Sequence, residues 1–194
     1  IPKSGQDTLK LSLFSDHVVY IPLETTKNSF LKNIIHIWLN DSILLLNDVH
    51  KLLMFSKNGK FIKQVGKEGK GPGEHQIITS FDVIRDTIYL STTGKKSLIR
   101  FTLEGNFCDE LTFNHQLPYF SSTSEGNLVW YNYPEGKVYT YNKNFSIEDT
   151  IVVDYGVTEG RYRYIHLEPF MPYFQKTFSG LLFNNHISDT IWNI

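Results

Sequence analysis

Val65-Gly66-Lys67-Glu68-Gly69-Lys70-Gly71-Pro72-Gly73-Glu74 is the stretch that decides how this chain folds. From Gly66 to Glu74, four of nine residues are glycine and one is proline. Such a run cannot be a helix or a central strand, because glycine loses too much backbone entropy there and proline lacks the donor. Just upstream, Phe55-Ser56-Lys57-Asn58-Gly59-Lys60-Phe61-Ile62 reads as strand, Asn-Gly turn, strand. A hairpin that runs into a compact Gly-Pro loop and then into another strand-rich unit marks the hand-over from one β-sheet module to the next.

The hairpin signal returns. Phe55 to Phe61 recurs as Phe101-Thr-Leu-Glu-Gly105-Asn-Phe107, 46 residues on, and in degraded form as Tyr141-Asn-Lys-Asn144-Phe145, 40 residues further. A turn feeding an apolar strand precedes each one: Asp41-Ser42-Ile43-Leu44, Asp86-Thr87-Ile88-Tyr89 and Gly126-Asn127-Leu128-Val129. A period near ~40–50 residues with four short strands per unit is the signature of a β-propeller blade. Tyr, Phe and Trp make up 14% of the chain, which favours strands over helices. The expectation is therefore all-β: a β-propeller of four-stranded antiparallel blades, about four of them present. Strands are expected near 17–23, 34–39, 42–48, 51–56 and 60–65, and in matching places downstream. The whole of 1–194 reads as one partial propeller, with blades near 17–75, 76–115, 116–155 and 171–194 and an irregular connection over 154–170.

Phe55 to Ile62, Gly66 to Glu74 and the entry stretch Tyr20-Ile21-Pro22-Leu23-Glu24-Thr25 resemble the six-bladed β-propeller lipoproteins of Bacteroidetes, distant relatives of the NHL-repeat propellers. His75 stands where that family usually has tyrosine. The resemblance implies an exported protein, lipid-anchored at the outer membrane in the cell envelope. Its members carry six blades and exceed 194 residues, so the chain resembles the N-terminal part of one. An open propeller arc leaves unpaired edges. The expectation is that another chain, self-association, or sequence continuing past Ile194 covers them.

Composition excludes several function classes. A net charge of −1 leaves no electrostatic footprint for nucleic acid. The single cysteine, Cys108, excludes an intrachain disulfide framework and is too few for a structural zinc site. No stretch approaches the ~20 apolar residues of a membrane-spanning helix. The seven histidines include no i, i+4 pair on a helix, and no Gly-x-Ser-x-Gly elbow is present, so no catalytic residue, metal ligand or cofactor is assigned.

Two stretches look phosphate-like. The glycine run lacks the Gly-Lys-Ser/Thr that opens a helix in a phosphate loop, so Gly66, Gly69, Gly71, Pro72, Gly73 and Glu74 are read as a structural inter-blade loop. Thr92-Thr93-Gly94-Lys95-Lys96-Ser97 lies between two strand patterns and is read as a hairpin loop. The candidate binding residues are Arg161, Tyr162, Arg163, Tyr164 and His166, where alternation puts two guanidiniums on one face and two phenols on the other. The function expected is a non-enzymatic binding or scaffold propeller whose partner is another protein or an envelope component, such as a peptide or glycan. The alternative is a propeller lyase or hydrolase acting on a peptide or glycan in the central funnel.

Overall fold

The computed structural model describes residues 16–132, 135–152, 173–177, 180–184 and 192–193. Among them every regular element longer than a single turn is a strand. The first sheet runs β1 (His36–Leu39), β2 (Ile43–Asp48), β3 (Lys51–Ser56), β4 (Phe61–Val65), all antiparallel and in sequence order. Two short strands follow, β5 (Lys67–Glu68) and β6 (Glu74–His75), paired in parallel. The second sheet holds β7 (Ile78–Ile84), β8 (Thr87–Thr92), β9 (Ser97–Thr102) and β10 (Phe107–Thr112). The third holds β11 (Phe120–Ser122), β12 (Leu128–Asn132), β13 (Lys137–Tyr141) and β14 (Ile147–Val152). A three-stranded sheet of β15 (Tyr173–Thr177), β16 (Gly180–Asn184) and β17 (Trp192–Asn193) completes the described part.

These sheets are propeller blades. Each four-stranded sheet meanders in sequence order, and the first strands of the three adjoin, β7 touching both β1 and β11. The period-2 alternation of a strand supplies the packing, because each blade must bury both faces. Leu45, Leu52, Met54 and Val65 of the first blade meet Ile78, Phe81, Ile88 and Phe101 of the second. The other side of that first blade, Leu44, Leu46, Leu53 and Phe55, is covered by Leu23, Leu31 and Phe61. Between the second and third blades lie Tyr89, Leu98, Phe120, Leu128, Trp130 and Tyr141. Each such side chain fully withdrawn from water contributes roughly 1.5–3 kcal/mol before entropy is charged against it.

The turns explain the repeat. In four places the same tight turn closes a hairpin, with its fourth residue in the left-handed region: Gly59 (φ 81), Gly105 (φ 79), Gly126 (φ 82) and Phe145 (φ 58). The degraded repeat is thus degraded at the residue where glycine is cheapest. Phe145 holds the conformation while its ring packs edge-on against Phe113 and tilted against Tyr89. The β7–β8 connection is a two-residue turn with Arg85 (φ 48) and Asp86 (φ 61) both left-handed, the geometry that matches strand twist.

The strand expected over 17–23 does not form. Pro22 has no N–H to give, and the segment is held instead by Glu24, whose N–H donates to the Gly59 carbonyl at 2.8 Å and whose Oε2 accepts from the Phe61 N–H at 2.9 Å. Val19 and Tyr20 stay exposed.

Polar stitches join the second and third blades where their first strands meet. Asp82 on β7 is buried, and its Oδ2 accepts from the Ser121 hydroxyl at 3.1 Å, the Ser122 N–H at 2.7 Å and the Ser122 hydroxyl at 2.9 Å. Ser80 adds a bond to the Phe120 carbonyl at 2.9 Å.

Candidate functional site

The glycine run is a closed loop between β5 and β6. The Gly69 N–H donates to the His75 carbonyl at 2.9 Å, and the Glu74 N–H to the Gly71 carbonyl at 3.1 Å. Its remaining donors are met by carboxylates. Glu74 Oε2 accepts the Gly71 N–H at 2.8 Å while its Oε1 pairs with Lys67 at 3.0 Å. Those bonds, that from Gly71 first, hold the Glu74 carboxyl below its usual range.

Glu110 of β10 reaches the loop from the far edge of the second blade. Its Oε1 accepts from the Gly73 N–H at 3.1 Å and from Lys95 at 2.6 Å, and its Oε2 accepts from the Ser97 hydroxyl at 3.0 Å. Lys95, in the β8–β9 turn, also donates to the Gly71 carbonyl at 2.9 Å. Burial pushes the Glu110 carboxyl up, and the bonds from Lys95, Gly73 and Ser97 together outweigh it, so the net shift is downward. The two stretches that look phosphate-like in sequence are therefore brought together, with the chain's own carboxylates on the loop amides.

Around this junction are two adjoining surface depressions, one shallow and one deeper, of about 320 and 310 Å³, sharing Lys70 and Lys95 in their walls. Lys96, Ser97 and Glu110 complete one; Gln76, Thr92 and Thr93 complete the other.

Gly73 and Gly71 differ in what they require. Gly73 sits at φ 69, and a Cβ there would lie 2.8 Å from the Phe107 ring. Gly71 has no left-handed φ, and its Cβ would meet only the flexible end of Glu74, at 3.1 Å. Gly73→Ala is expected to cost about 1–2 kcal/mol and Gly71→Ala about 0.5 kcal/mol or less. Urea denaturation of both variants checks this, and equal losses would contradict the geometry.

His75 closes the loop from beneath and is fully buried. Its Nδ1 faces the Gln76 carbonyl at 3.3 Å, and its Nε2 has no hydrogen-bond partner. Desolvation lowers its pKa from the ordinary 6.5, and the Gln76 and Val65 carbonyls oppose that shift without cancelling it. With the folded value depressed, the unfolded chain binds the extra proton first. Stability is then unaffected well above pH 6.5 and falls as the pH drops below it. His75→Phe is expected to flatten this part of the stability–pH curve, measured by urea denaturation between about pH 7.5 and 5.5. An unchanged slope would refute the assignment.

Elsewhere, acidic and aromatic groups are similarly engaged. Asp48 caps the 32–33 loop, accepting the Lys32 and Asn33 N–H groups at 2.9 and 3.1 Å. His115 stacks on Trp130 at 4.0 Å, with its Nε2 3.1 Å from the Tyr141 hydroxyl, and burial raises that phenol to about 12. Among the described residues no three His, Cys, Asp or Glu side chains converge as metal ligands, and Cys108 is exposed. Arg161, Tyr162, Arg163, Tyr164 and His166 lie outside the described residues. Lys95, Glu110 and Asp82 carry the inter-blade bonds, and sequence reasoning misses all three. The one local signal is the Gly94-Lys95-Lys96 turn, since the backbone groups these side chains hold lie in the inter-blade loop and the third blade.

Comparison with solved structures finds a Bacteroides fragilis protein described as a "Putative exported protein", with a TM-score of 0.74 and 21% identity over 92% of this chain. The chain spans about half of that structure, 52% of its length. At that identity the likeness speaks for the fold. The WD40 domain of Neurospora crassa Pan2 aligns over 61% of the chain, covering 36% of its own, at 12% identity and a TM-score of 0.49. A Bacteroides caccae protein of unknown function aligns over 58% of this chain and 43% of its own length, at 10% identity and a TM-score of 0.41. Among curated proteins nothing matches. One family model spans residues 2–194, and by that match the chain belongs to the family described as "Domain of unknown function (DUF4934)".

Proposed function

We propose that this chain is a non-enzymatic binding module of the bacterial cell envelope, exported and held at the outer membrane by a lipid anchor. The observation that carries the reading is how four acids at the loops and blade seams are engaged. Asp48, Glu74, Asp82 and Glu110 each hold backbone N–H groups, and Asp82 and Glu110 hold serine hydroxyls as well. A glycosidase or lyase needs a carboxylate free to exchange a proton with substrate. These acids instead fix loops and blade seams, making a rigid frame of the kind on which binding surfaces are carried. Export agrees with the description of the Bacteroides fragilis structure. The contact residues of the module are Arg161, Tyr162, Arg163, Tyr164 and His166, whose arginine and tyrosine side chains suit recognition.

Metal analysis of the purified protein, together with mass spectrometry of peptide and glycan panels before and after incubation, tests this reading. Substoichiometric metal and unchanged masses are expected. A stoichiometric transition metal, or turnover of any panel member, would overturn it in favour of a lyase or hydrolase.

A further inference from the structure

The groove formed by the two adjoining cavities between the glycine loop and the β8–β9 turn has an unusual wall for a chain of net charge −1. Three ammonium groups, Lys70, Lys95 and Lys96, face one carboxylate, Glu110. Lys95 neutralises Glu110, whose two oxygens already hold Gly73 and Ser97. Lys70 and Lys96 are exposed and form no ion pair among the described residues.

The groove does not bind anions as a backbone nest does. The Gly69 N–H is taken by the His75 carbonyl, and the Gly71 and Gly73 N–H groups by Glu74 and Glu110. An incoming anion meets side chains only. Each exposed ion pair strengthens binding about fivefold at best, so even three leave a lone phosphate or carboxylate with a Kd of about 10 mM. Retention at working concentrations requires a ligand that repeats its charge, occupies both cavities at once and releases counterions as it does so. The uncharged part of the wall narrows the class further. Thr93, Gln76 and Thr112 offer hydroxyl and amide groups, whereas the buried Thr92 and Ser97 hydroxyls are taken by Ile77 and Glu110, and Pro72 is the sole apolar side chain lining either cavity. Peptide recognition draws on pockets for apolar side chains, and this groove has none. Sugar hydroxyls match its hydrogen-bonding groups.

We propose that this groove binds an acidic polysaccharide, with Lys70 and Lys96 contacting successive acidic groups and Lys95 holding the wall in place. This names the ligand class of the binding reading above and rests on it.

The test titrates the full chain with polygalacturonate, dextran sulfate, neutral dextran and poly-glutamate, with binding read by calorimetry. At least one acidic polysaccharide is expected to bind and neutral dextran not. Binding should weaken about tenfold between 50 and 200 mM salt. Preference for the uronate or for the sulfate identifies the acidic group. Lys70→Gln with Lys96→Gln, both exposed, should leave the melting temperature unchanged and weaken binding about tenfold. Lys57→Gln with Lys60→Gln, at the first blade's hairpin turn, should change neither. Binding unaltered by the Lys70 and Lys96 substitutions, equal binding of neutral dextran, tighter binding of poly-glutamate, or no binding at all would overturn the proposal. The metal and turnover measurements decide separately whether the module is an enzyme.

Discussion

Phe101→Ala should lower the free energy of unfolding by about 3–5 kcal/mol, the loss expected for truncating a buried phenylalanine. The ring is 1% exposed and sits in the cluster that joins the first two blades. It lies edge-on to Phe107, with ring centres 6.1 Å apart, and Phe107 in turn packs beside Gly73. Its outer end also approaches Gly66, where a Cβ would stand 3.0 Å away. Removing it opens a cavity on the very seam that carries the glycine loop. The cost should therefore appear twice: as a lower urea midpoint, and as faster amide exchange from Gly66 to Glu74 than at the third blade. A loss under about 1 kcal/mol, or exchange that rises equally everywhere, would show that the seam is not built on this ring.

Asp82→Ala is the second large effect, at about 2–4 kcal/mol. The carboxylate is 3% exposed and takes three bonds from Ser121 and Ser122 and one from the Val83 N–H at 2.8 Å. Hydroxyls can rotate towards other acceptors. The Ser122 N–H cannot, and a buried donor left unpaired costs about 1–3 kcal/mol. Asp82→Asn keeps the shape and one acceptor oxygen, so it should recover about half of the loss. Chemical denaturation of the pair distinguishes a bonding role from a packing role, since a packing role predicts that Asn is nearly as good as Asp.

Local chemistry was legible in the chain. The Asp86 turn, the Gly59 and Gly105 hairpins and the Gly66–Glu74 stretch are all set by residues next to one another, and β2, β3 and β4 fall within a residue or so of their expected places. What escaped depends on the neighbouring blade. The 17–23 segment looks like a strand, yet among the described residues it pairs with none and is held by Glu24 reaching Gly59 and Phe61. Phe145 reads as a failed repeat because its left-handed backbone is supported by Phe113 and Tyr89 of another sheet. The site followed the same rule. The glycine loop announces itself, whereas Glu110, 37 residues from Gly73, looks like any exposed acid on an alternating strand until the blades stack.

That separation recurs. Asp82 to Ser122 spans 40 residues, Ser80 to Phe120 spans 40, Arg85 to Glu125 spans 40 and Lys63 to Asn106 spans 43. Each of these bonds therefore closes over about one repeat length. In three of the four the earlier blade donates, from Ser80, Arg85 and Lys63, and in the fourth Asp82 accepts from the later blade, so each joint is made between a blade and its next neighbour. A substitution at one joint is therefore felt about one repeat length along the chain, on the neighbouring blade rather than within its own.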